Sequence, residues 1–477
     1  MKPTSASFPD NARTALADAG LQRSMAGLKR FYMGAIANAR AGLPEFEDLR
    51  DAARAIKAHT FEHLDLYLEE YERKVVESGG TLHWASTAAE ARAIILKLCQ
   101  NAGARRVTKG KSMISEEIAL NAHLEAAGLA VTETDLGEYL IQLRNEAPSH
   151  IIGPAVHLTR EQIIADFRRA HTHLPPGRSL ETAEELVGEA RQILRDRFLS
   201  ADIGITGANL LVAETGTSII VTNEGNGDLT QTLPGTHIVI TSLEKLVPTL
   251  EDAMTILRVL ARSATGQEMS TYTTFATGPR RPGDPDGPTQ YHVVLLDGGR
   301  SELLGTELAE ALKCIRCGAC MDHCPVYHVI GGHAYGWVYP GPIGAVLTPA
   351  LIGVATAGHL PNASSFCGRC EEVCPMRIPL PRMMRHFRQK QFELAKTDAL
   401  PRRVLGLWAW VARQPRLYHW LAGLAVPVAS WLGRRTGRFV WVPFGAGWTH
   451  HRDLAAPEGR TFQSQWRRHM RRSKTLR

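Results

Sequence analysis

Outside two short stretches the sequence has almost no cysteine. Of its eight cysteines only Cys99 lies elsewhere, in "ARAIILKLCQNAG", an apolar helical pattern that suits a buried, inert thiol, so no pair is left over for a structural disulfide. Reduced thiols, together with an N-terminal stretch, "MKPTSASFPDNARTALADAG", that lacks an apolar core, point to a cytoplasmic protein. The apolar stretch "LYHWLAGLAVPVASWLG" (417–433) is 17 residues long with Pro427 inside it, short of the ~20 needed to span a bilayer. No G-x-x-x-x-G-K-[ST] is present, and no G-x-G-x-x-G stands between a strand and a helix. Flavin or nicotinamide held by such a motif is therefore unsupported. Low-complexity tracts are missing too, and the one internal repetition is a pair of cysteine runs.

The composition is ordinary for a globular chain of 477 residues, 44% hydrophobic and 22% charged, with room for several domains. The net charge of +7 hides a division. Residues 381–477 hold 20 Lys/Arg against 4 Asp/Glu, net +16, which leaves net −9 for the rest. Seven of the nine tryptophans (Trp408, Trp410, Trp420, Trp431, Trp441, Trp448 and Trp466) lie among those arginines. A helical cap or subunit-docking surface is the plain reading, since Trp and Arg dominate interfaces. The sharper one is an interfacial segment with Trp and Arg at lipid head-group level. Nucleic acid ranks last, because no recognition motif accompanies the charge.

The first run, "CIRCGACMDHCP", spaces Cys314, Cys317, Cys320 and Cys324 as C-x2-C-x2-C-x3-C before Pro325. This is the spacing of bacterial ferredoxins, in which the first three cysteines hold one 4Fe-4S cluster and the fourth crosses to another. The second, "SSFCGRCEEVCP", has Cys367, Cys370 and Cys374, with Ser364 where a first cysteine would stand. The cross-over rule assigns Cys314, Cys317, Cys320 and Cys374 to cluster one, and Cys324, Cys367 and Cys370 to cluster two. The fourth position of cluster two is left to the Ser364 alkoxide, the Ser365 hydroxyl, a partner subunit or water, or the site holds a 3Fe-4S cluster. An open or non-cysteine position is expected. Zinc is the weaker metal reading, because seven cysteines in this spacing fit cubane ligation better than tetrahedral knuckles.

Residues 20–75 read as helices ending at a Gly-Gly stop. Short apolar runs then alternate with helical patterns: "TLHWAS" (81–86), a helix over 88–101, "RRVTKG" (105–110), a helix over 115–128 and "LAVTETD" (129–135). Such alternation predicts βαβ units and a largely parallel sheet. A helix over 179–201 follows, then "ANLLVAETG" and "TSIIVTNEG", two strands turning at Gly216 that bring in antiparallel pairing, then "HIVITS" and "YHVVLLDGG". "SELLGTELAEALK" predicts a short amphipathic helix delivering Cys314, and the long insertion between the cysteine runs predicts a helical ferredoxin domain. Two segments gather polar groups at strand ends, one with Asp135, Glu138, Gln142, His150 and His157, the other with Glu214, Thr215, Thr217, Asn223, Glu224 and Asn226. Ligands of open α/β sheets bind beyond the carboxyl ends of strands. The competing account is turns and helix caps. Glu214, Glu224 and His150 are the catalytic candidates of these segments.

The segments "KGKSMISEEIALNAHLEAAGLAVTETDLGEYLIQLRNEAPSHIIGPAVH" and "AETGTSIIVTNEGNGDLTQTLPGTHIVI", the two cysteine runs, and the tail "PFGAGWTHHRDLAAPEGRTFQSQWRR" together closely resemble the lactate utilization protein B family of iron–sulfur proteins. The resemblance covers about residues 60 to 470. It implies an α/β lactate-utilization (LUD) domain similar to ribose-5-phosphate isomerase and CoA transferases, an all-α two-cluster ferredoxin domain and a small basic helical C-terminal region. The expected divisions are an N-terminal helical segment at 1–75, the LUD domain at 76–300, the ferredoxin domain at 301–395 and the Trp-rich region at 396–477. It also implies the same seven cluster cysteines, and a part in oxidising L-lactate to pyruvate with two other subunits, one rich in cysteine motifs and one a lone LUD protein. A quinone is the expected electron acceptor, with peripheral contact at the inner face of the membrane. Which subunit holds the lactate is left open by the resemblance. The alternatives are a LUD domain that itself acts on a hydroxy acid or acyl-CoA, through Glu214 or Glu224, and a cluster-based sensor or scaffold.

Overall fold

The computed structural model describes residues 3–394, 399–442 and 453–475. The chain forms two compact units, Met1–Gln391 and Phe392–Arg477.

In the first unit the alternating segments become the strands β1 (Thr81–Ala85), β2 (Arg106–Gly110), β3 (Ala130–Glu133), β4 (Ile203–Thr206), β5 (Leu210–Val212), β6 (Thr217–Thr222), β7 (Thr236–Ser242), β8 (Leu246–Val247), β9 (Tyr272–Ala276) and β10 (Gln290–Leu296). Six of them make an all-parallel sheet in the order β1-β10-β7-β4-β2-β3. Parallel strands are buried on both faces, and β4 and β7 accordingly have every residue buried, with Ile203, Ile205 and Ile238–Ile240 as their apolar part. The second sheet, β8-β5-β6-β9, is mixed, and the expected hairpin at Gly216 is its antiparallel β5-β6 pair. Gly216 is required there: its φ is +68° and a Cβ would stand 2.6 Å from the Lys74 carbonyl carbon.

Capping residues start the helices, at the expected position for the 88–101 pattern and four residues later than expected for the 179–201 pattern. Thr87 closes a capping box with Glu90 at the head of Ala88–Asn101, and Thr182 does the same with Glu185 for Ala183–Leu199. Two expected helices are broken. The 115–128 pattern splits into Met113–Glu117 and Leu120–Ala126 around Ala119, whose φ is +53°. "SELLGTELAEALK" forms two 3-10 turns, Ser301–Leu303 and Ala309–Lys313, because Gly305 takes a left-handed φ of +72° between them.

Between the cysteine runs and around them the described residues are helices and turns without strands, as a helical ferredoxin domain requires. This segment does not have a core of its own. Its Ala319, Met321, Tyr327, Ile343 and Phe387 pack in one cluster with Met25, Phe46 and Ala53 of the N-terminal helices and with Ile256 and Leu260 of the Leu250–Ala264 helix. In the second unit the helices Ala399–Ala412, Pro415–Gly433 and Phe462–Thr475 join a strand pair, Arg438–Phe439 with Leu454–Ala455. Among the described residues no helix is long and apolar enough to cross a membrane. Trp408, Trp410, Trp420, Trp431, Trp441 and Trp466 are exposed, whereas Trp448 lies outside the described residues.

His237 of β7 is fully buried, with Nε2 2.8 Å from Thr206 Oγ1 of β4. Burial pushes its pKa down from 6.5 to about 3. A depressed folded pKa contributes stability that is complete above pH 6.5 and is lost as the pH falls through about 3. His237→Gln is therefore expected to flatten the fall of the unfolding midpoint between those two pH values, as followed by urea titration.

Candidate metal centre

The two cysteine loops are conformational copies offset by fifty residues. Each begins after a 3-10 turn, Ala309–Lys313 or Leu360–Ala363, with an extended residue, Cys314 or Ser364. Two residues on, Arg316 (φ +61°) and Phe366 (φ +55°) are left-handed, then Gly318 (φ +77°) and Gly368 (φ +80°) follow the next cysteine. Short helices, Ala319–Asp322 and Arg369–Glu372, lead to Cys324 and Cys374 and the closing prolines. Left-handed backbone at a non-glycine residue is costly, so its recurrence marks a loop shaped to turn thiols inward. Within this copy Ser364 stands where Cys314 stands. The Arg316 amide donates to Cys314 Sγ at 3.4 Å, and the Phe366 amide donates to Ser364 Oγ at 3.1 Å.

Two cavities result. Cys314, Cys317, Cys320 and Cys374 line one, of about 370 Å³ counted to its mouth. Cys324, Cys367 and Cys370 line the other, of about 460 Å³, together with Ser364 and Ser365. Burial raises Cys317, Cys320 and Cys374, and the other thiols of that set raise them further, Cys374 to about 11. Burial likewise raises Cys324 and Cys370, the latter to about 12, with Cys367 adding to both. Thiols gathered this way hold their protons unless a cation takes their place. An all-sulfur donor set inside apolar walls fits an iron–sulfur group. The buried Tyr335 lines the second cavity, and its phenol feels Cys324, Cys320 and Cys370.

Cations surround the first cavity. Arg40 of the Ala19–Ala41 helix donates to the Val373 carbonyl at 2.7 Å. Arg50 of Phe46–Glu62 donates to the carbonyls of Glu372 at 2.8 Å and Cys374 at 2.7 Å. The Cys314 charge reaches Arg316 and Lys245. Arg316 in turn pairs with Glu244 at 3.0 Å, Glu244 with Arg300 at 2.9 Å, and Arg300 with Glu117 at 2.7 Å. Tyr339 donates to Glu117 at 2.6 Å and lies under the Arg316 guanidinium. Burial raises Glu244, but the charges of Arg300, Arg316 and Lys245 outweigh it and hold the carboxyl at about 2. The carboxyl edge of the parallel sheet is thus locked to the first cysteine loop. None of these residues was singled out by sequence reading. A signal existed, since the buried stripe Phe46, Arg50, Ala53, Lys57, Thr60 sets two cations on an apolar face.

The catalytic candidates are not brought together. Glu214 sits in the turn before β6, where it is exposed and its Oε1 accepts from the Leu250 amide at 2.6 Å, capping a helix. Glu224 follows the other end of β6, exposed, paired with Lys111 at 2.9 Å. His150 is fully buried, its Nδ1 accepting from the amides of Ile152 and Gly153 while Nε2 faces Asp322 of the first cysteine loop at 3.1 Å. Beside Glu224 the sheet edge carries left-handed Lys111, which also pairs with Asp135 and donates its amide to Glu138 at 2.9 Å. Burial, then Glu133 and Asp135, push Glu138 up to about 8.

Arg50→Ala removes the donor to two carbonyls of the second cysteine loop. Each buried acceptor so abandoned costs about 1–3 kcal/mol, and the variant is expected to melt at lower temperature and to retain less iron, as read by calorimetry and iron analysis.

Residues 68–296 match the family model of the LUD domain, and residues 310–378 that of the 4Fe-4S dicluster domain. The chain therefore carries an α/β LUD domain followed by a segment built for two 4Fe-4S clusters. It is 42% identical over 438 residues to the uncharacterized electron transport protein YkgF of Escherichia coli (strain K12), covering 91% of this chain and 90% of that one. It is 41% identical over 474 residues to lactate utilization protein B of Shouchella clausii (strain KSM-K16), covering 97% of each chain. To lactate utilization protein B of Geobacillus sp. (strain WCH70) it is 40% identical over 480 residues, covering 99% of each. A solved DUF162 family protein from Deinococcus radiodurans aligns with 49% of this chain and 98% of its own, with a TM-score of 0.28 and 17% identity, a likeness too weak to bear on the site. Relatives aligned nearly end to end at this identity leave one conclusion: the chain belongs to the lactate utilization protein B family.

Proposed function

We propose that this chain is the iron–sulfur electron-transfer subunit of a lactate-utilization system. The observation that carries the reading is the sorting of seven cysteines into two separate cavities. In this reading Cys314, Cys317, Cys320 and Cys374 hold one 4Fe-4S cluster, and Cys324, Cys367 and Cys370 hold the other, with Ser364 Oγ at the fourth position. The register of Ser364 on Cys314 supports that last assignment. Bound clusters of this kind accept and release single electrons at potentials set by ligation, charge and burial. The protein's own part is then clear in outline. Arg40, Arg50 and Arg316 place positive charge beside the first set of thiolates.

The finer reading is oxidation of L-lactate to pyruvate, in which two electrons and two protons leave the hydroxy acid at a site in a partner or at a shared interface. The partners are two further lactate-utilization subunits, one rich in cysteine motifs and one a lone LUD protein, and the acceptor is a quinone. A cytoplasmic location with peripheral membrane contact fits the exposed tryptophans of the basic second unit. A second reading, catalysis by the LUD domain itself, draws on the cluster of Lys111, Asp135, Glu138 and Glu224 at the sheet edge, where a carboxyl held near neutrality is poised for proton transfer.

Anaerobically reconstituted protein mixed with the two partner subunits is expected to lose its cluster absorbance on adding L-lactate, and to stay unchanged without them. Conversion of a hydroxy acid or acyl-CoA by the isolated chain would transfer support to the second reading. Ser364→Ala is expected to turn the second cubane into a three-iron signal in electron paramagnetic resonance, and Ser364→Cys to keep it with a shifted potential. An unchanged spectrum in both variants would remove serine from the site.

A further inference from the structure

A third group of ligating side chains lies apart from both cysteine cavities, between the loop after the Leu136–Arg144 helix and the turn that carries His333. Asn145 ends that helix in a left-handed conformation (φ +54°), which turns Glu146 away from the helix axis. On the other side Gly332 approaches the loop so closely that a Cβ would stand 1.7 Å from the Ser149 carbonyl oxygen. This contact fixes where His333 arrives.

His157 Nε2 lies 2.9 Å from Glu146 Oε2, and the rings of His157 and His333 are 4.4 Å apart at their centroids. Only 10% of the His157 side chain is exposed, and its Nδ1 is enclosed with no hydrogen-bond partner. A buried polar atom left in that state is costly unless something satisfies it. One ligand atom from each of Glu146, His157 and His333 lies within 4.8 Å of the other two. A carboxylate oxygen of Glu146 therefore faces two imidazoles.

We propose that Glu146, His157 and His333 bind a zinc ion, or a like divalent transition metal, that clasps the 146–157 loop to the His333 turn. Two imidazoles and a carboxylate are a zinc donor set that leaves a fourth position for water. The outer partners are those that ligating groups take. His333 Nε2 meets the Ala147 carbonyl oxygen at 2.7 Å, and Arg144 Nε donates to the other oxygen of Glu146 at 2.9 Å while its Nη1 donates to Asp166 at 2.9 Å. No sulfur belongs to the set, so the site is chemically distinct from the cysteine cavities. It ties the LUD segment that holds His150 to the insertion between the cysteine runs.

Full-length protein with its clusters reconstituted would be equilibrated with zinc, desalted, and analysed for metal content and by zinc-edge X-ray absorption. About one zinc per chain is expected, with nitrogen and oxygen neighbours at about 2.0–2.1 Å. His157→Ala and His333→Ala are each expected to lose it while iron content and the cluster spectrum persist. Because the clusters are monitored separately, a failed zinc result leaves the electron-transfer reading standing. Three results overturn the proposal: no zinc retained by the unaltered chain, zinc with sulfur neighbours at about 2.3 Å, or zinc retained in the variants. Should His157→Ala not fold, His333→Ala decides alone, since His333 is exposed.

Discussion

Glu244 is a buried carboxylate that the rest of the first unit cannot do without. It follows β7 at the carboxyl edge of the sheet and takes Arg300 on one oxygen and Arg316 on the other. The main chain around it accepts from Lys57, whose ammonium binds the carbonyls of Glu244 and Leu246. An N-terminal helix, the sheet edge and the first cysteine loop meet there. Removing one partner of a buried ion pair costs about 3–5 kcal/mol, because the other charge is left in a medium of low polarity. The arrangement thus enforces the position of Arg316, and with it the left-handed turn between Cys314 and Cys317. Burial of charge in this unit positions cysteines.

The paired loops show how little sequence is needed to set such a geometry. A left-handed residue, a left-handed glycine, one turn of helix and a proline recur at the same offsets, although Arg316 and Phe366 share no chemistry. Their surroundings differ instead. Arg316 lies over Tyr339 and pairs with Glu244, whereas the Phe366 ring is covered by Arg388 and Arg385. The first set of thiols sits among cations of four different segments, while the second opens towards solvent at Cys367. One backbone template therefore serves two electrostatic environments.

Most of the fold was legible in the sequence because its signals are local. The 88–101 helix, the parallel strands and the hairpin at Gly216 follow from periodicity and turn glycines. The cysteine signal is local in the same way, since the spacing that proposes two sets lies within two short runs. What escaped depends on contacts distant along the chain. The break at Ala119 lets Glu117 reach Arg300, 183 residues away, and nothing near Ala119 announces it. The polar segments show the same dependence on distant contacts. Glu214 and Glu224 read alike as strand-end carboxylates, yet they sit at opposite ends of β6, and His150 turned inwards to Asp322. Exposure and partners cannot be read from residue type.

Arg40 and Arg50 hold the carbonyls of Val373 and Cys374 across 333 and 324 residues of sequence. During synthesis the helices that carry these arginines leave the ribosome long before the loop they grip has been made. The pocket for the first set of sulfurs consequently closes only after translation has passed the second cysteine run, so a chain that stops short of Val373 and Cys374 lacks both the fourth sulfur and the carbonyls that these arginines grip.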